Sequence, residues 1–132
     1  MKRLLTLTVG LLLTISACGG DDDDEGGEEG DVPKIECGSA GTIPKYSELT
    51  FLLTTCATCH STQLTGTAAR RDANPAFNYD TYEAAKAGAA KGVEEVYEGP
   101  NGAMPPDGTG VPKLTDAQRV QFNTWTQCGM PQ

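Results

Sequence analysis

Near the middle of the chain, Cys56-Ala57-Thr58-Cys59-His60 places two thiols and an imidazole at fixed spacing. No other stretch restricts the fold as much. Thiols three residues apart on a helical turn face the same way. They can add across the two vinyl groups on one edge of a porphyrin. The next residue, His60, then falls under the iron and offers a ring nitrogen. This is the pattern that attaches one covalent haem c. His60 is also the only histidine among 132 residues. A zinc site at Cys56, Cys59 and His60 lacks a fourth ligand unless Cys37 or Cys128 supplies it. A redox dithiol of the thioredoxin kind requires a βαβ setting, and no strand-like alternation of any length is present.

An iron held by His60 on one side calls for a soft donor on the other. Of the three methionines, Met1 leaves with the N-terminal segment and Met130 sits beside Cys128 at the C-terminus. Met104 lies in Gly102-Ala103-Met104-Pro105-Pro106, 44 residues beyond His60. Pro105 keeps Met104 out of helical geometry. A thioether opposite imidazole raises the reduction potential. The plainer alternative leaves Met104 as a packing residue and the iron five-coordinate or water-ligated.

The remaining pattern is helical, with three or four helices and long loops. Pro44 opens a first helix whose apolar face runs through Tyr46, Leu49, Leu52 or Leu53 and Cys56. Thr54, Thr55 and Thr58 weaken it, so packing must hold its end. Ser61 to Ala76 reads as loop. Asp80 is a candidate N-cap for a short alanine-rich helix from Ala84 to Lys91, with a separate piece from Val93 to Glu98. Gly99 to Pro112 reads as loop. Thr115-Asp116-Ala117-Gln118 matches a capping box for the last helix, which Gly129 and Pro131 stop. Ala117, Gln121, Thr124 or Trp125 and Cys128 share one face, with Val120 and Phe122 beside it. Arg70 and Arg71 read as a solvated loop, with haem propionates or a docking patch as the alternative. Tyr79, Tyr82 and Trp125 read as core.

The N-terminus carries an export pattern. Met1-Lys2-Arg3 precedes an apolar stretch from Leu4 to Ile15 that is too short for a confident membrane span, so residues 1–17 read as a removable signal. Ile15-Ser16-Ala17-Cys18 resembles the lipobox of bacterial lipoproteins. That resemblance implies acyl chains on Cys18 and firm anchoring in a membrane. Gly19 after the lipid site resembles lipoproteins sent to the outer membrane, facing the periplasm. The acidic run behind it also resembles surface-export signals. The net charge of −8 resides in that run: residues 21–31 hold eight of the 18 acids. From Val32 onward ten acids meet eight bases. Residues 18–36 therefore read as an extended, disordered tether before a domain at 37–132. No nucleic-acid partner is expected of this charge balance.

Cys37 and Cys128 remain as a pair. An even remainder in an exported chain predicts a disulfide. Closing a loop of about 90 residues is worth roughly 4–5 kcal/mol on the chain-entropy account.

From about Pro44 to Pro131 the sequence resembles a class I, single-haem cytochrome c domain of the kind found in bacterial exported proteins. The resemblance rests on an apolar helix running into Cys56-Ala57-Thr58-Cys59-His60, on Met104-Pro105-Pro106, and on a terminal helix with Trp125 before Gly129. It implies an all-α cytochrome c-like fold in which the first and last helices cross at one haem edge. Leu49, Phe51 and Leu52 against Val120, Phe122 and Trp125 are the candidate contacts. A Cys37–Cys128 bridge and the long segment from Ser61 to Tyr79 are not general features of that family. The function implied is electron transfer through haem c with His60 and Met104 as axial ligands, redox proteins as partners, no enzymatic activity and a monomeric state. The alternative is a haem enzyme or a gas or redox sensor with an open sixth position. A third is a structural or interaction lipoprotein. One haem motif argues against a two-haem peroxidase, and its position at 56 argues against the four-helix cytochrome c′ type.

Overall fold

The computed structural model describes residues 31–98 and 102–132. Among these, every regular element is helical: α1 (Thr50–Thr54), α2 (Thr67–Arg70), α3 (Tyr82–Tyr97) and α4 (Asp116–Gln127), with 3-10 turns at Tyr46–Glu48 and Cys56–Thr58. The all-α expectation holds in this form. The single helix expected from Pro44 to Cys56 does not: it is a 3-10 turn, a short α-helix and a second 3-10 turn. Leu49 sits at φ −83° and ψ 56°, outside helical geometry. Thr54 and Thr58 donate their hydroxyls to the carbonyls of Thr50 and Thr54 at 3.1 and 3.3 Å. Such back-bonding competes with the regular ladder and favours short, bent helices. Leu49, Phe51 and Leu52 are buried nonetheless.

The two short helices expected after Thr81 are one element of 16 residues, α3. Its N-cap is Thr81, whose side chain accepts from the Ala84 amide. Asp80 instead turns back to the segment after the haem motif, accepting from Ser61 Oγ, Thr62 N and Thr62 Oγ1 at 2.8, 2.9 and 2.7 Å. Ala85, Gly88, Ala89, Gly92, Val93 and Val96 form the buried stripe of α3, at the three- and four-residue steps of one helix face. The two glycines weaken local helicity but allow close approach. The Tyr79 ring lies against both, and its hydroxyl donates to the Gly88 carbonyl at 3.2 Å. A methyl added at Gly92 meets the Tyr79 hydroxyl and comes within 3.0 Å of Phe122 Cζ. At Gly88 the nearest atom, Phe77 Cδ1, stands at 3.3 Å. Gly92→Ala should therefore lose up to about 2 kcal/mol of unfolding free energy, because overpacking of about 1–3 kcal/mol outweighs the roughly 1 kcal/mol gain in helix propensity. Gly88→Ala should be closer to neutral. Urea unfolding of the pair checks the order, and equal stabilities count against it.

The capping box at the start of α4 is complete: Thr115 and Gln118 each accept from the other's backbone. Its buried residues are Phe122, Asn123, Thr124 and Trp125. Ala117 and Gln121, expected on the inner face, are exposed, and Val120 is 50% exposed. The face is shifted because two neighbours cover α4. One is α3. The other is the segment before Cys37, where the Pro33 carbonyl accepts from Asn123 Nδ2 and Gln127 Nε2, and Ile35 N donates to Gln127 Oε1. The packed part of the chain thus starts by Pro33 rather than at Cys37. Of the expected contacts between the first and last helices, Phe51 and Phe122 meet edge to face with ring centroids 6.3 Å apart. Cys37 and Cys128 form a disulfide with their Cα atoms 5.5 Å apart. The C-terminal residues close the same corner, with the Pro131 carbonyl accepting from Trp125 Nε1 and Tyr46 N.

Candidate haem site

One cavity of about 370 Å³ lies between the haem motif, α3 and the loop before α4. Cys56, Cys59, His60 and Met104 all line it. The sequence placed these residues in two segments 44 positions apart, and the fold brings them together. Met130, the other candidate, packs against the core elsewhere, and Cys37 and Cys128 do not line the cavity. Cys18 lies outside the described residues.

The motif residues are delivered by the 3-10 turn Cys56–Thr58, which follows α1 directly. The amides of Cys59 and His60 both donate to the Cys56 carbonyl, at 3.2 and 2.9 Å. That turn puts both thiols and the imidazole on one side. Burial pushes the Cys56 thiol up to about 12, and Cys59 beside it acts in the same direction.

His60 Nδ1 lies 3.0 Å from the Phe77 carbonyl. A carbonyl can only accept, so Nδ1 carries the proton and Nε2 is the bare nitrogen. Burial holds the imidazole below its ordinary value, with the Phe77 carbonyl opposing, Arg70 adding to the effect and Glu95 opposing. A neutral ring with a free Nε2 is the form that ligates a metal. The ring is steadied by Tyr79, edge to face at 5.6 Å, whose amide donates to the His60 carbonyl at 2.8 Å.

Met104 is held by the last turn of α3. The amides of Ala103 and Met104 both donate to the Glu95 carbonyl, at 2.8 and 3.2 Å. That carbonyl is one of those a helix end leaves free. Gly102 makes the approach possible: its φ is +73°, and a Cβ there would lie 2.5 Å from the Val96 carbonyl oxygen. Only glycine satisfies both demands. Lys113 Nζ donates to the Gly102 carbonyl at 2.8 Å and fixes the other side of the loop.

Apolar side chains make most of the remaining wall: Phe77, Tyr79, Val96, Pro105, Leu114 and Phe122. Polar groups enter at Asp72, Asn74, Lys91 and Glu95. Lys91 pairs with Glu95 at 2.9 Å. Two thiols, one neutral imidazole and one thioether around a largely apolar cavity fit a haem attached through cysteine and ligated by nitrogen and sulfur. Nothing in this donor set favours zinc, because Cys37 and Cys128 are committed to each other. No group of three or more His, Cys, Asp or Glu suited to a metal ion occurs among the described residues.

Arg70 differs from its reading as a solvated residue or propionate partner. It is 5% exposed. Its guanidinium donates to the carbonyls of Ala73, Ser61, Leu64, Asn74 and Phe77 and to Asn78 Oδ1. It is the centre around which the segment from Ser61 to Asn78 is wound. The long loop expected there has order because one side chain collects its carbonyls, and it contains the short helix α2. Arg71 is exposed and donates to the Thr109 carbonyl, tying this loop to the one that follows Met104. Phe77, whose carbonyl orients His60, was not singled out by sequence. The available signal was Asn74-Pro75: Asn74 Oδ1 accepts from Ala76 N and its carbonyl from Phe77 N, a turn that aims Phe77 inward.

The model of the Cytochrome c family matches residues 48–125. No curated protein and no solved structure matches the chain. The matched span takes in the attachment motif, the Phe77 carbonyl, the Met104 loop and α4 up to Trp125, more than half of the sequence. The chain belongs to the cytochrome c family, whose domain binds haem c covalently and serves electron transfer.

Proposed function

We propose that this protein is an electron carrier of the cell envelope, with one haem c held by Cys56 and Cys59 and ligated axially by His60 and Met104. The observation that carries the reading is that Met104, 44 residues beyond His60, lines the same cavity as the attachment motif. A bound haem supplies an iron that exchanges one electron between ferrous and ferric states. The residues around it keep that exchange cheap. The Phe77 carbonyl fixes the His60 ring, and the Glu95 carbonyl with Gly102 fixes the Met104 loop, so neither donor needs to move when the charge changes. The apolar wall excludes water from the iron.

Such a protein acts without chemical turnover and meets redox partner proteins in brief encounters, as a monomer. Residues 1–17 are a lipoprotein signal, Cys18 is the lipid anchor, and the tether runs from it to the haem domain, whose packed part begins by Pro33. The anchor sits in the outer membrane facing the periplasm, with the cell surface as the alternative side.

The purified protein should show a haem c spectrum together with a sulfur-to-ferric-iron charge-transfer band. Haem c without that band, with ready binding of carbon monoxide, would indicate an open sixth position and a sensor or enzyme instead. Location has its own test. Cys18→Ser should move the protein from the membrane fraction to the soluble periplasmic one, and an unchanged distribution would sink the lipid anchor. Protease treatment of whole cells separates the periplasmic from the surface-facing arrangement.

A further inference from the structure

On the Nδ1 side of the His60 ring, the Phe77 carbonyl is shared. It takes His60 Nδ1 at 3.0 Å and Arg70 Nη2 at 3.3 Å. Arg70 is buried, its hydrogen bonds end on five carbonyls and one amide oxygen, and among the described residues it forms no ion pair. A positive charge therefore sits one carbonyl away from the imidazole, with no carboxylate of the described residues in direct contact with it. Hydrogen-bonding alone requires only that the carbonyls be satisfied. The charge is an additional property of the arrangement.

We infer that Arg70 is a positioning residue for His60 and raises the reduction potential of the haem that His60 ligates; this rests on the proposed ligation. Two effects of one side chain have the same sign. A guanidinium drawing on the Phe77 oxygen leaves that oxygen a weaker acceptor for the His60 Nδ1 proton, so the imidazole is less electron-rich toward iron. The buried positive charge also disfavours the state with the greater positive charge, which is ferric. Both favour the reduced form. The electron gained goes to iron, and no bond forms or breaks at Arg70.

Spectroelectrochemical titration of the haem-loaded protein tests this, with unfolding free energy measured in parallel. Arg70→Gln should lower the reduced-to-oxidised ratio at fixed potential at least tenfold, a midpoint fall of 59 mV for one electron. Arg70→Gln also leaves carbonyls unpaired and puts the fold of this segment at risk, so a gentler pair decides. Asn78 Oδ1 accepts from Arg70 Nη2 at 2.9 Å, and Asn78 Nδ2 donates to the Pro75 carbonyl at 3.0 Å. Asn78→Asp neutralises the guanidinium where it stands, whereas Asn78→Ala loses the same Pro75 bond without adding charge. The ratio should fall at least threefold in Asn78→Asp and stay near wild type in Asn78→Ala. Equal midpoints in the two Asn78 variants overturn the inference, as does an unchanged midpoint in a folded Arg70→Gln protein. Failure of the underlying ligation looks different: the ferric wild-type protein would lack the strongly shifted proton resonances of an iron-bound His60 ring.

Discussion

Met104→Ala should retain covalent haem and lose the sulfur-to-iron band. Retention follows because Cys56, Cys59 and His60 stand on a separate turn, held by the Cys56 and Phe77 carbonyls rather than by the Met104 loop. Loss of the band follows because Met130 offers no substitute: it packs against the core and its backbone is committed, with its amide donating to the Trp125 carbonyl and its own carbonyl accepting from Tyr82. The midpoint potential should fall by about 100 mV or more, a modest share of the roughly 0.8 V over which axial ligands move haem potentials. Carbon monoxide should then bind the ferrous form, turning a carrier toward a sensor-like site. The Glu95 and Gly102 contacts are backbone interactions, so the loop itself should keep its path. An unchanged band and potential in Met104→Ala would show that another group occupies the sixth position.

Replacing the disulfide should have the largest effect on stability. The Cys37–Cys128 bond spans 91 positions, and on the chain-entropy account a loop of that length contributes about 4–5 kcal/mol. Against a typical total of roughly 5–15 kcal/mol, this is a large fraction. The double variant Cys37→Ser/Cys128→Ser should melt roughly 15–40 °C lower, at about 4–8 °C per kcal/mol for a domain of this size. Its haem spectrum at 25 °C should be unaltered, since neither cysteine lines the cavity. The corner would still be held by Asn123 and Gln127 on the Pro33 carbonyl and by Trp125 and Tyr46 on that of Pro131. A melting point within a few degrees of wild type would mean that these contacts, rather than the covalent link, restrain the ends.

The site was legible to the extent that its chemistry is local. Two thiols and an imidazole within five residues define attachment whatever surrounds them, and the capping box at Thr115 and Gln118 needs only its own four residues. A methionine ahead of two prolines stands out as a candidate loop donor for the same reason. The α4 face was misread because amphipathicity assumes one covering layer, and α4 has two. Val120 is consequently exposed, whereas Asn123 is buried with its amide on the Pro33 carbonyl.

Arg70 illustrates the limit most clearly. An arginine in a polar stretch reads as solvated, because burying a charge is costly unless its donors are met. Here six acceptors spread over residues 61–78 meet them, and that convergence exists only once the segment is folded around the guanidinium. Gly88 and Gly92 make the same point from the opposite side. Their local preference is to interrupt a helix, yet α3 runs through both because Tyr79 and Phe122, from elsewhere in the chain, occupy the space that side chains would need. Residue type and short spacing point to the cofactor and to the atoms proposed to hold it. The tuning of those atoms, through the Phe77 carbonyl, Arg70 and the free end of α3, depends on contacts between segments far apart in the chain, and only packing creates them.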